Sequence, residues 1–168
     1  GSQGRFMDSV RNTNTVDAIF EAYRNGSMIA GTSAGAAVQS RQMITGDQIK
    51  HPVYTGYFET IEAENMILEE GLGLTEDLII DQHFIQRQRL NRLIAVILEN
   101  PSYLGVGIDE STAIHVQGDS ASVYGVSQVI LLEHPRKDTR VKDGLLGGRD
   151  LRLSILLPGE GFYVGVSR

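Results

Sequence analysis

The sequence contains no cysteine, and its 15 lysine and arginine residues are outnumbered by 21 aspartate and glutamate residues. Without cysteine the chain has no disulfide bond, no thiol nucleophile and no cysteine-ligated metal site. The formal net charge of −6 and the lack of a basic stripe argue against a nucleic-acid partner. No apolar run approaches the roughly 18 residues of a membrane-spanning helix, and no hydrophobic secretory segment is visible. We therefore expect no membrane partner and a cytoplasmic location.

What is present is a composition typical of a globular protein, with 41% hydrophobic and 21% charged residues. A chain of 168 residues is long enough for one domain with a substantial core, so we expect a single domain over 1–168. The chain begins at Gly1, Ser2 and Gln3 without a methionine. This start indicates a processing site, a cloning boundary or the edge of a fragment.

The segment 27–40, SMIAGTSAGAAVQS, combines a short apolar run, a glycine-containing turn and a run of small residues. Residues 31–35 match the G-x-S-x-G pattern of a nucleophile elbow, in which a sharp strand-to-helix turn presents a serine hydroxyl above the sheet edge. The pattern predicts a strand over 28–30 and a helix that begins near Ala36.

Each position beside Ser33 then has a physical role. A strained backbone at the serine leaves little room two residues away on either side, so Gly31 and Gly35 are expected to avoid steric collisions there. The backbone N–H of Ala34 is expected to point at an oxyanion that forms beside Ser33.

Apolar periodicity predicts helices at 13–25, with Gly26 as the stop, and at 85–100. Two apolar runs, 78–80 and 103–108, predict buried strands of a parallel sheet. Beyond residue 112 the pattern changes to short strands and turns, predicted at 112–116, 121–124, 126–132, 151–157 and 162–166.

Two long stretches are predicted to be loops. Residues 42–63 are polar and interrupted by glycine and proline, and they carry the aromatic residues Tyr54, Tyr57 and Phe58. We expect this stretch to pass over the surface near Ser33, as a lid or binding loop would. Residues 137–150 are expected to form a charged loop.

Alternating strands and helices followed by hairpins predict an α/β fold, a mostly parallel sheet with an antiparallel extension at its C-terminal end. Only three clear parallel strands precede Glu110, fewer than a doubly wound sheet needs. We therefore expect that the first strands of the sheet are missing or are supplied by another chain.

Three chemically useful groups follow predicted strands: Ser33, His83 and the Asp109-Glu110 pair. In open α/β sheets the carboxyl ends of the strands line the ligand crevice. A hydroxyl, an imidazole and a carboxylate at one edge are the components of a nucleophile, base and orienting acid. Their order, Ser, His, acid, differs from the Ser, acid, His order of α/β-hydrolases, and this disfavours a lipase-type esterase.

Each group also has a structural interpretation. His83 can be an ordinary hydrogen-bonded residue at a strand end, and Asp109 and Glu110 can cap a turn. Asp81, two residues before His83, competes with Glu110 as the partner of the imidazole, or it can cap the following helix. The joint placement of all three groups favours the catalytic interpretation.

Arginines follow the histidine closely. If a helix starts at His83, Arg87 lies one turn further along the same face. A guanidinium beside the nucleophile can hold a substrate carboxylate through two hydrogen bonds. For Arg89 and Arg92 taken alone, a solvated basic helix face is the favoured interpretation.

Taken together, these segments resemble the cyanophycinases, members of the serine peptidase family that also contains aspartyl dipeptidase (peptidase E). The resemblance rests on MIAGTSAGAAV at 28–38, GLGL at 71–74, IIDQHFIQRQRLNRL at 79–93 and LGVGIDESTAIHV at 104–116. The Asp-Gln-His-Phe block with its arginines favours cyanophycinases over peptidase E.

The resemblance implies a flavodoxin-like fold, with helices on both faces of the sheet. It implies that Ser33 is the nucleophile, His83 the general base and Glu110 the acid that orients it. The implied substrate is cyanophycin, a poly-aspartate with an arginine on each side-chain carboxyl, cleaved to β-aspartyl-arginine dipeptides without a metal or organic cofactor. Gln82 beside the base, together with Arg87, Arg89 and Arg92, would contact the substrate.

The family also implies residues at the start of this chain: Gln3 as a substrate-contacting glutamine and Gly1 as a second oxyanion donor. Ser2 stands where the family has aspartate. Family members carry a longer N-terminal portion, so a fragment chain that completes the fold is an expected partner, and a homodimer is the expected assembly. Two alternatives stay open: a dipeptidase for aspartyl or isoaspartyl peptides, and a non-catalytic chain of a two-chain or processed protein.

Overall fold

The computed structural model describes residues 2–165. Its helices are α1 (Gln3–Val10), α2 (Asn14–Arg24), α3 (Ala34–Ala37) and α4 (Leu90–Glu99). Its strands are β1 (Gln42–Gln48), β2 (Met66–Glu70), β3 (Leu78–Gln82), β4 (Leu104–Ile108), β5 (Thr112–Gln117), β6 (Ser120–Gly125), β7 (Val129–Glu133), β8 (Arg140–Lys142), β9 (Leu145–Gly147), β10 (Arg152–Leu156) and β11 (Gly161–Tyr163). No helix in this part of the chain has the length and apolar character that crossing a membrane requires.

A four-stranded mixed sheet, in the order β10-β7-β4-β3, is the centre of the fold. Strands β3 and β4 are parallel, with Ile80 beside Val106, and helix α4 connects them. The β4–β7 and β7–β10 pairs are antiparallel. The prediction of a mostly parallel sheet is therefore wrong for the described residues, because β7 and β10 come from the C-terminal antiparallel region and only one helical crossover joins two strands.

The predicted strand over 28–30 is also wrong. Met28 is 72% exposed, and no strand among the described residues pairs with this segment. A run of three apolar residues has no means of forming a strand without a neighbour to accept its backbone hydrogen bonds. The preceding helix is confirmed: α2 is capped by Thr13, whose hydroxyl accepts the N–H of Thr15 across 3.2 Å.

The antiparallel extension is confirmed as a three-stranded sheet in the order β11-β6-β5. Its last strand ends at Tyr163, and Val166, the end of the strand predicted there, lies outside the described residues. The predicted loop 42–63 begins with strand β1, which pairs with β2 beyond the loop, and the predicted loop 137–150 contains the β8–β9 hairpin. The pattern concealed β1 because only Met43 and Ile44 of its side chains are fully buried, and polar residues occupy the rest.

Two hydrophobic clusters lie on opposite faces of the mixed sheet. On one face, Leu93 and Ile97 of α4 pack with Ile79 of β3. On the other, Val123 of β6 packs with Ile80 and Val106, in a cluster that includes Ala36 of α3. The expected helices on both faces are therefore found mainly on one, since the antiparallel sheet covers most of the other.

Candidate active site

Ser33 occupies a strained turn that leads into α3. Its φ of 52° and ψ of −116° lie in a region that side chains other than glycine rarely adopt. A Cβ added at Gly31 would lie 2.0 Å from the carbonyl oxygen of Gly35, whereas a Cβ at Gly35 would meet nothing within 4 Å. The steric prediction is thus confirmed for Gly31, where a side chain would collide with the backbone of Gly35, and wrong for Gly35, where a side chain would have open space.

His83 follows the last residue of β3 and also has a positive φ, 52°. Its Nε2 lies 2.7 Å from Oγ of Ser33. Its Nδ1 is hydrogen-bonded to Oε1 of Glu110, which follows the end of β4. Hydroxyl, imidazole and carboxylate therefore form one continuous hydrogen-bonded chain.

Strand order explains why these residues meet. Since β3 and β4 are parallel neighbours, their carboxyl ends lie at the same sheet edge and deliver His83 and Glu110 side by side. The serine turn is attached to β3. The backbone N–H of Ile80 in this strand donates to Oγ of Ser40, just beyond α3, across 3.1 Å.

Asp81 does not contact the imidazole. Its carboxylate accepts hydrogen bonds from Nε of Arg92 at 2.6 Å and from a second nitrogen of the same guanidinium. It does not cap a helix either, since α4 begins only at Leu90. Glu110 is therefore the carboxylate paired with His83, and Asp81 belongs to a buried ion pair below the site.

Asp109 caps the turn after His83, a role that the sequence offered only as an alternative. Its carboxylate accepts the backbone N–H groups of Ile85 at 3.1 Å and Gln86 at 3.0 Å, and the hydroxyl of Ser127 at 2.8 Å. Partial burial alone would raise the pKa of Asp109, but these hydrogen bonds outweigh it and lower the pKa below its usual value. The carboxylate thus fixes the segment that carries the imidazole.

The helix predicted over 85–100 begins later than expected, at Leu90. One helical turn does form at His83, whose carbonyl accepts the N–H of Arg87 across 3.0 Å. Gln88, with a φ of 51°, then interrupts the helical path. Arg87 is exposed at the pocket rim, and its side chain has no partner among the described residues.

The solvated-face interpretation of Arg89 and Arg92 is wrong, because both side chains are buried. Arg92 pairs with Asp81 and stacks over the ring of Phe58, 4.7 Å from its centroid. Arg89 donates to the carbonyl oxygen of Gln82 across 2.6 Å and to the side chain of the same residue, while its Nε has no hydrogen-bond partner in the described part of the chain. Burial, together with the charge of Arg92, lowers the pKa of Arg89.

Of the residues at the chain start, Gln3 is buried in α1 and its Nε2 donates to the carbonyl oxygens of Ile44 at 2.6 Å and Thr45 at 3.0 Å. Gly1, the predicted second oxyanion donor, lies outside the described residues. The N–H of Ala34, beside Ser33, is not used in any hydrogen bond within residues 2–165.

A cavity of about 360 Å³ joins these groups. Its lining comprises Ser2, Gln3, Ser33, Thr45, Gly46, Asp47, Tyr54, Gln82, His83, Arg87, Arg89 and Arg92. Asp47 was not anticipated from the sequence, since nothing predicted the hairpin that carries it. Tyr54 agrees with the expectation that the stretch 42–63 passes near Ser33.

Comparisons with known proteins identify relatives of this chain. A family model described as "Peptidase family S51" matches residues 1–124. A cyanophycinase of Trichormus variabilis is 34% identical over 98% of this chain and 55% of its own length. A cyanophycinase of Synechococcus elongatus is 37% identical over 67% of this chain and 33% of its own length, and a peptidase E of Actinobacillus pleuropneumoniae is 28% identical over 74% and 52%. The chain therefore spans about half the length of the curated relatives, or less.

Proposed function

The chain belongs to peptidase family S51, and we propose that it acts as a cyanophycinase-like serine exopeptidase. The substrate is cyanophycin, and the products are β-aspartyl-arginine dipeptides. The observation that carries the proposal is the continuous chain of hydrogen bonds from Ser33 through His83 to Glu110. In this proposal the three residues are the nucleophile, the general base and the orienting acid.

The first half of the reaction forms an acyl-enzyme. Oγ of Ser33 attacks the carbonyl carbon of a backbone amide next to a β-linked aspartyl-arginine unit, while Nε2 of His83 takes the hydroxyl proton. Glu110 accepts a hydrogen bond from the protonated imidazole and stabilises its charge. The N–H of Ala34, which has no partner in the described chain, donates to the oxyanion. The C–N bond then breaks, and His83 gives its proton to the leaving amine.

The second half repeats these steps with water. His83 removes a proton from a water molecule, and the resulting hydroxide attacks the ester carbonyl of the acyl-enzyme. When the ester bond breaks, the proton returns to Oγ of Ser33. The enzyme is restored and a free carboxylate is released, so atoms and charge balance without any further reactant.

Charge in the cavity supports a substrate that carries carboxylates. Each β-aspartyl-arginine unit has free carboxylates, and Arg87 and Arg89 offer guanidinium groups to hold them. Gln82 and Gln3 line the same cavity and supply polar contacts. Two donors of Arg92 are occupied by Asp81, so we assign Arg92 a supporting role instead of the direct substrate contact predicted from the sequence.

Several broader expectations remain proposals. We propose that the domain has a flavodoxin-like arrangement, supported by the parallel β3-α4-β4 unit with the serine turn at its carboxyl end. A fragment chain that completes the sheet, a homodimeric assembly and a cytoplasmic location also stay predictions. Mass measurement of the native species tests for the fragment chain, and sedimentation of the purified protein tests for the homodimer.

The function is tested by incubating the protein with cyanophycin and identifying the soluble products by mass spectrometry. We expect β-aspartyl-arginine from the unmodified protein and a loss of at least about 10³-fold in rate for Ser33→Ala. Ser9→Ala, which alters an exposed serine of α1, serves as the control and retains activity. Full turnover by Ser33→Ala would remove this serine from the mechanism, and absence of turnover by the unmodified protein would favour a non-catalytic chain.

A second candidate, an aspartyl or isoaspartyl dipeptidase, is favoured by the 28% identity to a peptidase E. Parallel assays with aspartyl dipeptides discriminate between the two. Release of free aspartate from these dipeptides, with cyanophycin left intact, would assign the dipeptidase activity.

A further inference from the structure

The cavity lining carries charges of both signs. Arg89 and Arg92 both pair with the buried Asp81, and Arg87 is exposed with no carboxylate partner in the described chain. Asp47 is the only acidic side chain in the described lining, and no ion pair within residues 2–165 joins it to an arginine. A free carboxylate in a pocket otherwise rich in arginine needs a role other than neutralising those arginines.

The backbone of β1 turns Asp47 toward the cavity through an irregularity. The register between β1 and β2 shifts between Ile44 and Gln48, and Gly46 within this bulge has a φ of +96°. Bulges of this kind re-aim side chains and are common next to active sites. The backbone N–H of Asp47 donates to Oγ1 of Thr45 across 3.1 Å, which fixes the bulge, while the carboxylate itself stays exposed and without a partner in the described chain.

Tyr54 lies beside Asp47. Both residues line the main cavity and also the small cleft that adjoins it. The loop that carries Tyr54 is anchored at two points. At its base His51 is hydrogen-bonded to Glu62 across 2.6 Å, and beyond the tyrosine the carbonyl of the buried Phe58 accepts from Asn91 across 2.9 Å.

A carboxylate next to an aromatic ring is a good receptor for a guanidinium group. The carboxylate accepts charge-assisted hydrogen bonds, and the ring face attracts the cation. Arg87, exposed in the same lining, offers a cation to a carboxylate. A ligand that carries both a carboxylate and a guanidinium therefore has a partner for each group in this cavity.

We propose that Asp47 and Tyr54 form the subsite for the guanidinium group of the substrate's arginyl side chain and thereby determine specificity for arginine. This inference rests on the proposed function. It adds a cation-binding subsite built by the β1 bulge and the loop 49–65 to a cavity whose arginines hold carboxylates.

Binding measurements test the subsite without depending on turnover. Calorimetry with the Ser33→Ala protein compares β-aspartyl-arginine with β-aspartyl-citrulline, which has nearly the same shape but no charge. We expect the arginine dipeptide to bind at least about tenfold more tightly, because only its charged guanidinium forms a charge-assisted hydrogen bond with the carboxylate of Asp47. Asp47→Asn should reduce this ratio to within about twofold.

Three further variants test the assignment to Asp47 and Tyr54. Glu59→Gln removes a carboxylate from the same loop but outside the cavity lining, and it should keep the tenfold ratio. Tyr54→Phe should keep the ratio because the ring remains, and Tyr54→Leu should lower it. Unchanged discrimination in Asp47→Asn, or failure of both dipeptides to bind, would overturn the subsite. Selective binding of the arginine dipeptide by a protein that leaves cyanophycin intact would instead refute only the proposed hydrolysis.

Discussion

Nε of Arg92 lies 2.6 Å from Oδ2 of Asp81, and both side chains are almost completely buried. The pair joins the end of β3, directly before Gln82 and His83, to the first turn of α4. It lies below the cavity that contains Ser33, so the ion pair supports the segment that delivers the imidazole.

Removing one partner of this ion pair should destabilise the folded protein. Arg92→Ala removes the closer of the two guanidinium groups beside the buried carboxylate of Asp81 and leaves only Arg89, 3.6 Å away, so we expect a loss of about 3 kcal/mol in the free energy of unfolding. Urea denaturation followed by circular dichroism measures the free energy of unfolding. The double change Asp81→Asn with Arg92→Met, which removes both charges, should recover part of the loss. A stability loss below about 1 kcal/mol for Arg92→Ala would contradict the structural role.

Arg87 should behave in the opposite way. Because its guanidinium is exposed at the pocket rim, Arg87→Ala should change the free energy of unfolding by less than about 0.5 kcal/mol. If it holds a substrate carboxylate, KM on cyanophycin should rise about tenfold or more. Arg24→Ala, at the exposed end of α2, is the control for loss of one positive charge. An unchanged KM in Arg87→Ala would refute the carboxylate contact.

The two glycines of the elbow should differ in their tolerance of alanine. Gly31→Ala places a Cβ against the carbonyl of Gly35, and we expect a destabilisation of about 2 kcal/mol or more with loss of activity. Gly35→Ala has open space and a helical position, so its stability should be unchanged or higher by up to about 1 kcal/mol. Equal unfolding midpoints for the two variants in chemical denaturation would show that the turn geometry is different.

Stability should fall at acid pH partly through Asp109. Since the folded state lowers its pKa, the ionised carboxylate stabilises the protein above the ordinary aspartate pKa of about 3.9. That contribution should disappear as the pH falls through the lower pKa of the folded protein. Asp109→Asn should therefore lose about 1–2 kcal/mol at neutral pH and differ progressively less from the unmodified protein below about pH 4.

Unfolding free energies measured between pH 7 and pH 3 test this dependence. Asp119→Asn, a change at an exposed turn where the side chain has no partner in the described chain, is the control and should show no such convergence. A difference between Asp109→Asn and the unmodified protein that stays constant with pH would show that the carboxylate is not stabilised by its charge.

Where an element depends mainly on the pattern of residues within one segment, the sequence predicted the structure well. The periodicity of 13–25 predicted α2, and the apolar runs at 78–80 and 103–108 predicted β3 and β4. These patterns succeed because helix and strand periods arise from neighbouring residues of one segment. The segment 28–30 failed for the complementary reason, since a strand exists only when another strand accepts its hydrogen bonds.

Which side chains of the site are buried, and with which partners, was not predictable from local patterns. Nothing in the sequence distinguishes Arg87, which is exposed, from Arg92, which is buried against Asp81 and Phe58. The bulge that presents Asp47 also left no signal, because it depends on the register between two strands whose pattern is mostly polar.

The sequence by itself determined which chemical groups are available, the elbow serine among them, and that the histidine and the acidic pair follow the ends of two strands, β3 and β4. Only the tertiary structure decided the partnerships among them. The parallel pairing of β3 and β4 joined His83 to Glu110 and left Asp81 to Arg92 and Asp109 to the following turn. Such choices depend on distances between segments far apart in the chain, and local residue patterns carry no information about those distances.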